Sequence, residues 1–201
     1  MFIRVYKISD ISMNYTLTDG DLVIVENFSA GMHIPSLFFY AKGHIFSNEQ
    51  GIRRGDLMAF KHPLDNRLYL KRVVARPGDK VFQRDKNFYL QIEADQAKTV
   101  DFARQYNIEL EKIADEYWLR NPYSTFYHIV HVDDISGPDE LINYPITVIP
   151  DHKYFFLGDF RDNSTDSRFF GPVDYDEIYY KVWITIRVSE YLKKRASIKP
   201  Y

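Results

Sequence analysis

A lysine inside an apolar strand is the first residue of this chain whose setting points to chemistry. Along Tyr69-Leu70-Lys71-Arg72-Val73-Val74, alternation puts Tyr69, Lys71 and Val73 on one face and Leu70, Arg72 and Val74 on the other. At least one of the two cations must therefore face something covered. Burial disfavours the charged amine, so its pKa falls from about 10.4 toward neutrality, where it can take a proton from a hydroxyl. A lysine that snorkels at a sheet edge is the plainer reading of the same residue. Ser12, in Asp10-Ile11-Ser12-Met13-Asn14-Tyr15-Thr16-Leu17, leads directly into a turn and is the best-placed hydroxyl. By itself, a serine near a terminus is usually inert.

Gly158 to Arg168 is a third cluster, in which aspartates and arginines alternate with hydroxyls after an apolar strand. Carboxylate–guanidinium pairs and Asx turns can fold such a segment into a rigid loop that positions one or two side chains. A purely structural loop fits equally well. Metal chemistry has less support. His128 and His131 sit three apart in an expected strand and so point to opposite faces. Asp159, Asp162 and Asp166 lack the glycine and glutamate spacing of a calcium loop.

The elements that must hold these residues read mostly as short strands. Turn residues bound apolar runs at 22–25, 57–60, 68–74, 88–92, 154–157 and 179–188. The connections are mostly too short for helical crossovers, so the expectation is a coiled antiparallel sheet. One stretch differs: from about 94 to 119, Val100, Ala103, Tyr106, Leu110, Ile113 and Tyr117 recur at three- and four-residue steps, which predicts an amphipathic helix closed by Asn121-Pro122. Residues 125–132 read as strand again. The fold class expected is mainly β: a β core of residues 1–92 plus 149–201, with an inserted α+β subdomain at 93–148. The basic stretch 190–201 reads as a short helix or a frayed tail.

Composition narrows the function classes. With 26 basic against 28 acidic residues, the chain is no broadly basic nucleic-acid binder. Zero cysteines exclude disulfides, thiolate metal sites and a cysteine nucleophile. The longest apolar runs, 22–25 and 36–40, are strand-sized, far short of the roughly 18–20 residues of a membrane span. The opening Met1 to Lys7 is not a signal peptide. As written, the chain reads as soluble.

Taken together, the clusters resemble the type I signal peptidase family of serine proteases. Ser12-Met13 through Thr16-Leu17 is similar to the nucleophile box, and Gly20 to Val25 to the strand box after it. Arg54-Gly55-Asp56 with Phe60, Lys61 and Pro63 resembles a third box. Tyr69 to Val74 with Pro77-Gly78-Asp79 resembles the lysine box, and Gly158 to Arg168 the last. Five boxes in the right order span residues 12 to 168.

The resemblance implies a coiled-sheet core shared with self-cleaving repressors and a Ser12/Lys71 dyad. Ser164 would orient Lys71, while Asp159, Asp166 and Arg168 would brace the last box through ion pairs. The Ser12 amide would form part of the oxyanion hole. Ile8, Tyr69 and Leu70 would line shallow pockets selecting Ala-x-Ala-like sites in signal-peptide-bearing preproteins, which bind as an added strand. No cofactor or metal is implied. The expected setting is a monomer on the extracytoplasmic (periplasmic) face of the bacterial inner membrane, touching the membrane surface and binding no nucleic acid. Family members carry an anchor before the nucleophile box; here eleven residues precede Ser12, and this chain shows no such anchor.

Several positions depart from the pattern. Asp10 stands where the family has Ser or Gly beside the oxyanion, Tyr15 replaces a proline, and Phe160 an asparagine. Ala75-Arg76 replaces a glycine-containing pair. These departures leave room for a dedicated maturation peptidase of a secretion or conjugation system, or for a non-catalytic homologue that binds exported peptides. A self-cleaving repressor shares the dyad logic but would need a DNA-binding helix-turn-helix ahead of it.

Overall fold

The computed structural model describes residues 3–33, 44–130 and 137–188. Its main sheet has seven strands: Ile3–Lys7 (β1), Leu22–Glu26 (β2), Leu57–Lys61 (β5), Leu68–Ala75 (β6), Lys153–Leu157 (β12), Val173–Asp174 (β13) and Ile178–Ile186 (β14). Their spatial order is β1-β2-β14-β5-β6-β12-β13, and every neighbouring pair is antiparallel. A second sheet, also antiparallel, runs Tyr144–Val148 (β11), Lys80–Arg84 (β7), Asn87–Gln91 (β8), Glu116–Arg120 (β10) and Leu110–Ile113 (β9). A small hairpin pairs Gly31–His33 (β3) with His44–Ser47 (β4). The helices are Gln96–Tyr106 (α1), Asp139–Ile142 (α2) and Ser167–Phe170 (α3). The molecule is thus mainly β and antiparallel, as the short connections require.

The second sheet draws on both sides of residue 93: β7 and β8 precede it, and β9, β10 and β11 follow. One apolar cluster seals the two sheets together, with Val74, Ala75, Phe155 and Leu157 of the main sheet packed on Val81, Phe88, Leu90 and Leu119 of the second. Under the first strands, Ile8, Met13, Leu17, Val23, Val25, Ala59 and Tyr180 form another cluster. Leu17 is fully buried there. Burial of a side chain of that size stabilises by about 1.5–3 kcal/mol, enough to fix the turn that carries Ser12.

The long helix expected over 94–119 is not formed. Helix α1 starts at its N-cap Asp95, which accepts from the Lys98 amide, and stops at Asn107, whose left-handed backbone (φ 53, ψ 49) closes the end. Leu110 and Ile113 instead belong to β9, which turns back at Ala114 into β10, burying Trp118 and Leu119. Asn121-Pro122 ends that strand rather than a helix. The expected strand over 125–132 is also absent among the described residues: Phe126 and Tyr127 turn back onto the Tyr123 carbonyl, and a single bridge joins Val130 to Phe160. Strands β1, β3, β4, β7, β11 and β13 went unread in the sequence. The apolar run 36–40, His131 and the tail 190–201 lie outside the described residues.

Candidate active site

Ser12 sits in the compact turn between β1 and β2. The amides of Thr16 and Leu17 donate back to the Met13 carbonyl, while buried Met13 and Leu17 pin the turn from below. Ser12 itself is buried, and its carbonyl accepts from the Phe160 amide at 3.0 Å. That bond ties the nucleophile turn to the polar loop 158–168. The rings of Tyr15 and Phe160, two of the departing residues, meet edge to face across the same junction, with Tyr15 held at φ 74.

Lys71 approaches from β6, paired with Met58 of β5. Its side chain is 2% exposed, and Nζ donates to Ser12 Oγ at 2.6 Å and to the Leu70 carbonyl at 3.2 Å. Burial dominates its titration and holds its pKa below the usual lysine range, against the opposing pull of Asp10, Asp166 and Asp159. Arg72, on the opposite face of the strand, is buried as well. Both cations of the strand are therefore covered, where alternation required only one.

Arg72 pairs with Asp159 through Nε and Nη2 at 2.8 and 2.5 Å, and its Nη1 donates to the Gly55 carbonyl. The guanidinium also lies 3.6 Å from the Tyr127 ring centre. Thr16 Oγ1 donates to the same Asp159 carboxylate, closing a path from β6 through the loop to the nucleophile turn. Asp166 caps α3, accepts from the Gly158 amide, and takes a two-point ion pair from Arg168 at 2.8 Å on each oxygen. Burial pushes the Asp166 carboxyl upward, but Arg168, the Gly158 amide and Ser164 together outweigh it and hold the carboxyl below its ordinary value. Arg161, wholly enclosed, donates to the Gly158 carbonyl; burial and the neighbouring Arg168 bring it down to about 10. Asp162 meets Lys86 of the β7–β8 turn at 2.7 Å. The three loop aspartates are thus each engaged by a cationic side chain. Among the described residues no group of three His, Asp or Glu side chains is placed to hold a metal.

Ser164 is buried beside Asp166, whose carboxyl it helps to hold down, while the hydrogen bonds of Lys71 go to Ser12 and Leu70. Ser164 is packed so tightly under Gly158 that a Cβ there would collide with its hydroxyl and with the Ser12 carbonyl.

Asp10 reaches Ser12 from within the same turn. Its Oδ2 accepts from the Ser12 hydroxyl at 2.8 Å and lies 3.8 Å from Lys71 Nζ. Its Oδ1 accepts from the amides of Ile11 at 2.6 Å and Ser12 at 3.2 Å. Partial burial raises the Asp10 pKa, while the Ser12 hydrogen bond and Lys71 more than offset it and hold it below the usual carboxylate range.

All of this opens into a groove of about 540 Å3 lined by Ile8, Asp10, Ser12, Tyr69, Leu70 and Lys71, with Lys7 and Arg67 also on its wall. The pairing of β12 with β6 reaches only Arg72. Residues 68–71 are hydrogen-bonded to β5 on one side and face the groove beyond their other edge. The sequence missed Thr16, Tyr127 and Lys86 as supports. Arg72 was visible as a covered cation but not as the partner of Asp159.

A serine hydroxyl on a buried amine, at the edge of a groove beside an open strand, is an arrangement that hydrolases acting on extended peptides can use. Comparison with known proteins makes the class specific: residues 1–186 match the family described as signal peptidase, peptidase S26, and the chain belongs to it. A signal peptidase I of Rickettsia felis is 31% identical over 192 residues, covering 89% of this chain and 70% of the relative. One from Helicobacter pylori is 27% identical, covering 90% and 73%. A solved signal peptidase I from Enterococcus faecalis aligns over 66% of this chain and 97% of its own, with 23% identity and a TM-score of 0.36.

Proposed function

We propose that this protein is a serine endopeptidase that removes signal peptides from exported preproteins, with Ser12 as nucleophile and Lys71 as general base. The observation that carries this reading is the 2.6 Å contact between Ser12 Oγ and a buried Lys71. The precursor lies along the open edge of residues 68–71 as an added strand, with small side chains against Ile8, Tyr69 and Leu70, as in Ala-x-Ala sites. Neutral Lys71 takes the Ser12 proton as Oγ attacks the scissile carbonyl, and the oxyanion that forms faces the Ser12 amide. Protonated Lys71 returns that proton to the leaving amine. It then deprotonates the water that hydrolyses the ester, and Ser12 regains its hydrogen. Asp159, Asp166 and Arg168 keep the loop in register with both residues, and Ser164 fills the space beneath it.

A membrane-surface setting finds support in the outer face of the first strands. Val5, Ile24 and Ile184 stand in one cross-strand row, flanked by exposed Ile3, Ile186 and Trp183. The opposite face of β2, Val23 and Val25, lines the groove. Among the described residues no helix is long and apolar enough to cross a membrane. A narrower reading, a maturation peptidase with few substrates, is favoured by Asp10 and Tyr15 at the nucleophile turn. The test is incubation with a preprotein bearing an Ala-x-Ala site, with sequencing of the new N-terminus. Cleavage after the second alanine by wild type and none by Ser12→Ala is expected. Equal cleavage by Ser12→Ala would contradict the reading, and cleavage restricted to a few precursors would favour the narrower one.

A further inference from the structure

Ser12 is held from two sides by groups of opposite charge. Its hydroxyl accepts from Lys71 and donates to Asp10, so the serine proton points at the carboxylate and away from the amine that should receive it. The amide of Ser12 also donates to Asp10. An oxyanion born at Ser12 needs that same N–H, and a carboxylate lying on it both occupies the donor and repels the new charge.

The other carboxylates that face Lys71 are differently placed. Asp159 is paired with Arg72 and Asp166 with Arg168, each through two hydrogen bonds and each almost fully buried. The Asp10 side chain is 64% exposed and borders the open groove. A χ1 rotation carries it off Ser12 without opening the core. The Tyr69 ring, 5.2 Å from Nζ, and the Leu70 carbonyl also lie beside Lys71, and Lys7 and Arg67 are the cations on the groove wall.

We propose that Asp10 is a substrate-displaced latch, its carboxylate holding the Ser12 hydroxyl and amide in the resting protein until the scissile carbonyl takes its place. This rests on the peptidase reading above. Entry of the substrate strand brings a carbonyl oxygen to the Ser12 amide. Asp10 turns out into the groove, and the freed hydroxyl rotates its proton toward Lys71. The latch keeps the nucleophile unreactive toward water and stray acyl donors while no peptide strand is bound.

The test compares wild type, Asp10→Ser and Asp10→Asn on one preprotein across pH. Asp10→Ser removes the charge and the occupant, and kcat/KM should rise about tenfold to 100-fold, the range spanned by a single oxyanion donor or less. Both variants should shift the acid limb of the profile to lower pH, because Lys71 loses an anionic neighbour. In Asp10→Asn the amide oxygen still accepts from the two backbone amides, so folding is preserved. A kcat/KM for Asp10→Ser within twofold of wild type, or below it, overturns the latch whether or not the limb moves. Direct NMR titration of the Lys71 ammonium in wild type and Asp10→Asn gives a readout independent of cleavage. A lower midpoint in the variant is expected, and an unmoved one overturns the contact. Loss of the peptidase reading shows separately, as Ser12→Ala cleaving like wild type.

Discussion

At the scale of single residues, the site is an arrangement of buried charges that cannot be removed one at a time. Asp159 neutralises Arg72 in a pair whose side chains are 1% and 2% exposed. Asp159→Ala leaves an uncompensated guanidinium in the interior and should destabilise the protein by about 3–5 kcal/mol. Urea unfolding measures this, and a loss below about 1 kcal/mol would show that water reaches Arg72. Lys71 and Arg72 were legible from alternation alone, because two adjacent cations in an apolar strand cannot both reach solvent. The contact of Asp10 with Ser12 was not legible. It depends on a side chain folding back onto amides one and two residues ahead, a rotamer choice that leaves no mark on spacing. The position of the Ser164 hydroxyl is similar, since it is set by the close approach of Gly158.

Elements bring these residues together, and one tight junction is at Gly55. Its backbone is left-handed (φ 93), its carbonyl accepts from Arg72, and a Cβ there would strike the Tyr127 hydroxyl. Tyr127 comes from the segment 93–148 and covers the Arg72 guanidinium, and Val130 of the same segment hydrogen-bonds the backbone of Asp159 and Arg161. Gly55→Ala should cost about 1–3 kcal/mol and lower cleavage by displacing Arg72 from Asp159. Thermal melts beside cleavage rates check this, and an unchanged melt would show that Tyr127 moves aside freely. The main strands were readable because turn residues bound their apolar runs. The helix over 94–119 was overread because Leu110, Ile113 and Tyr117 keep a helical spacing by chance, while Asn107 supplies the left-handed stop. Strand β7 was hidden because Lys80, Gln83 and Arg84 give it a polar look, although Val81 and Phe82 are buried.

For the molecule as a whole, two faces of the first strands divide the work. Val23 and Val25 back the groove, while Val5, Ile24 and Ile184 form an apolar row outside. An exposed patch of this kind marks an interaction surface. Val5→Asp together with Ile184→Asp should weaken co-sedimentation with phospholipid vesicles severalfold and leave cleavage of a short soluble peptide unchanged. Equal co-sedimentation of both proteins would remove the membrane surface as the partner of this face. Box order in the sequence pointed to the family, but the outward row appears only when register aligns three strands that are distant in the chain.

These scales meet in the claim that neutral Lys71 takes the proton of Ser12, and a pH profile of kcat/KM for wild type and Lys71→Ala tests it most directly. Burial lowers the Lys71 pKa, so the neutral base accumulates as pH rises through a value below the usual 10.4 or so. Wild-type activity should climb through a single titration beneath that pH and then level off. Lys71→Ala should lie at least about a thousandfold lower throughout and show no such limb. A Lys71→Ala enzyme that keeps a tenth of the activity, or retains the same limb, would contradict the account.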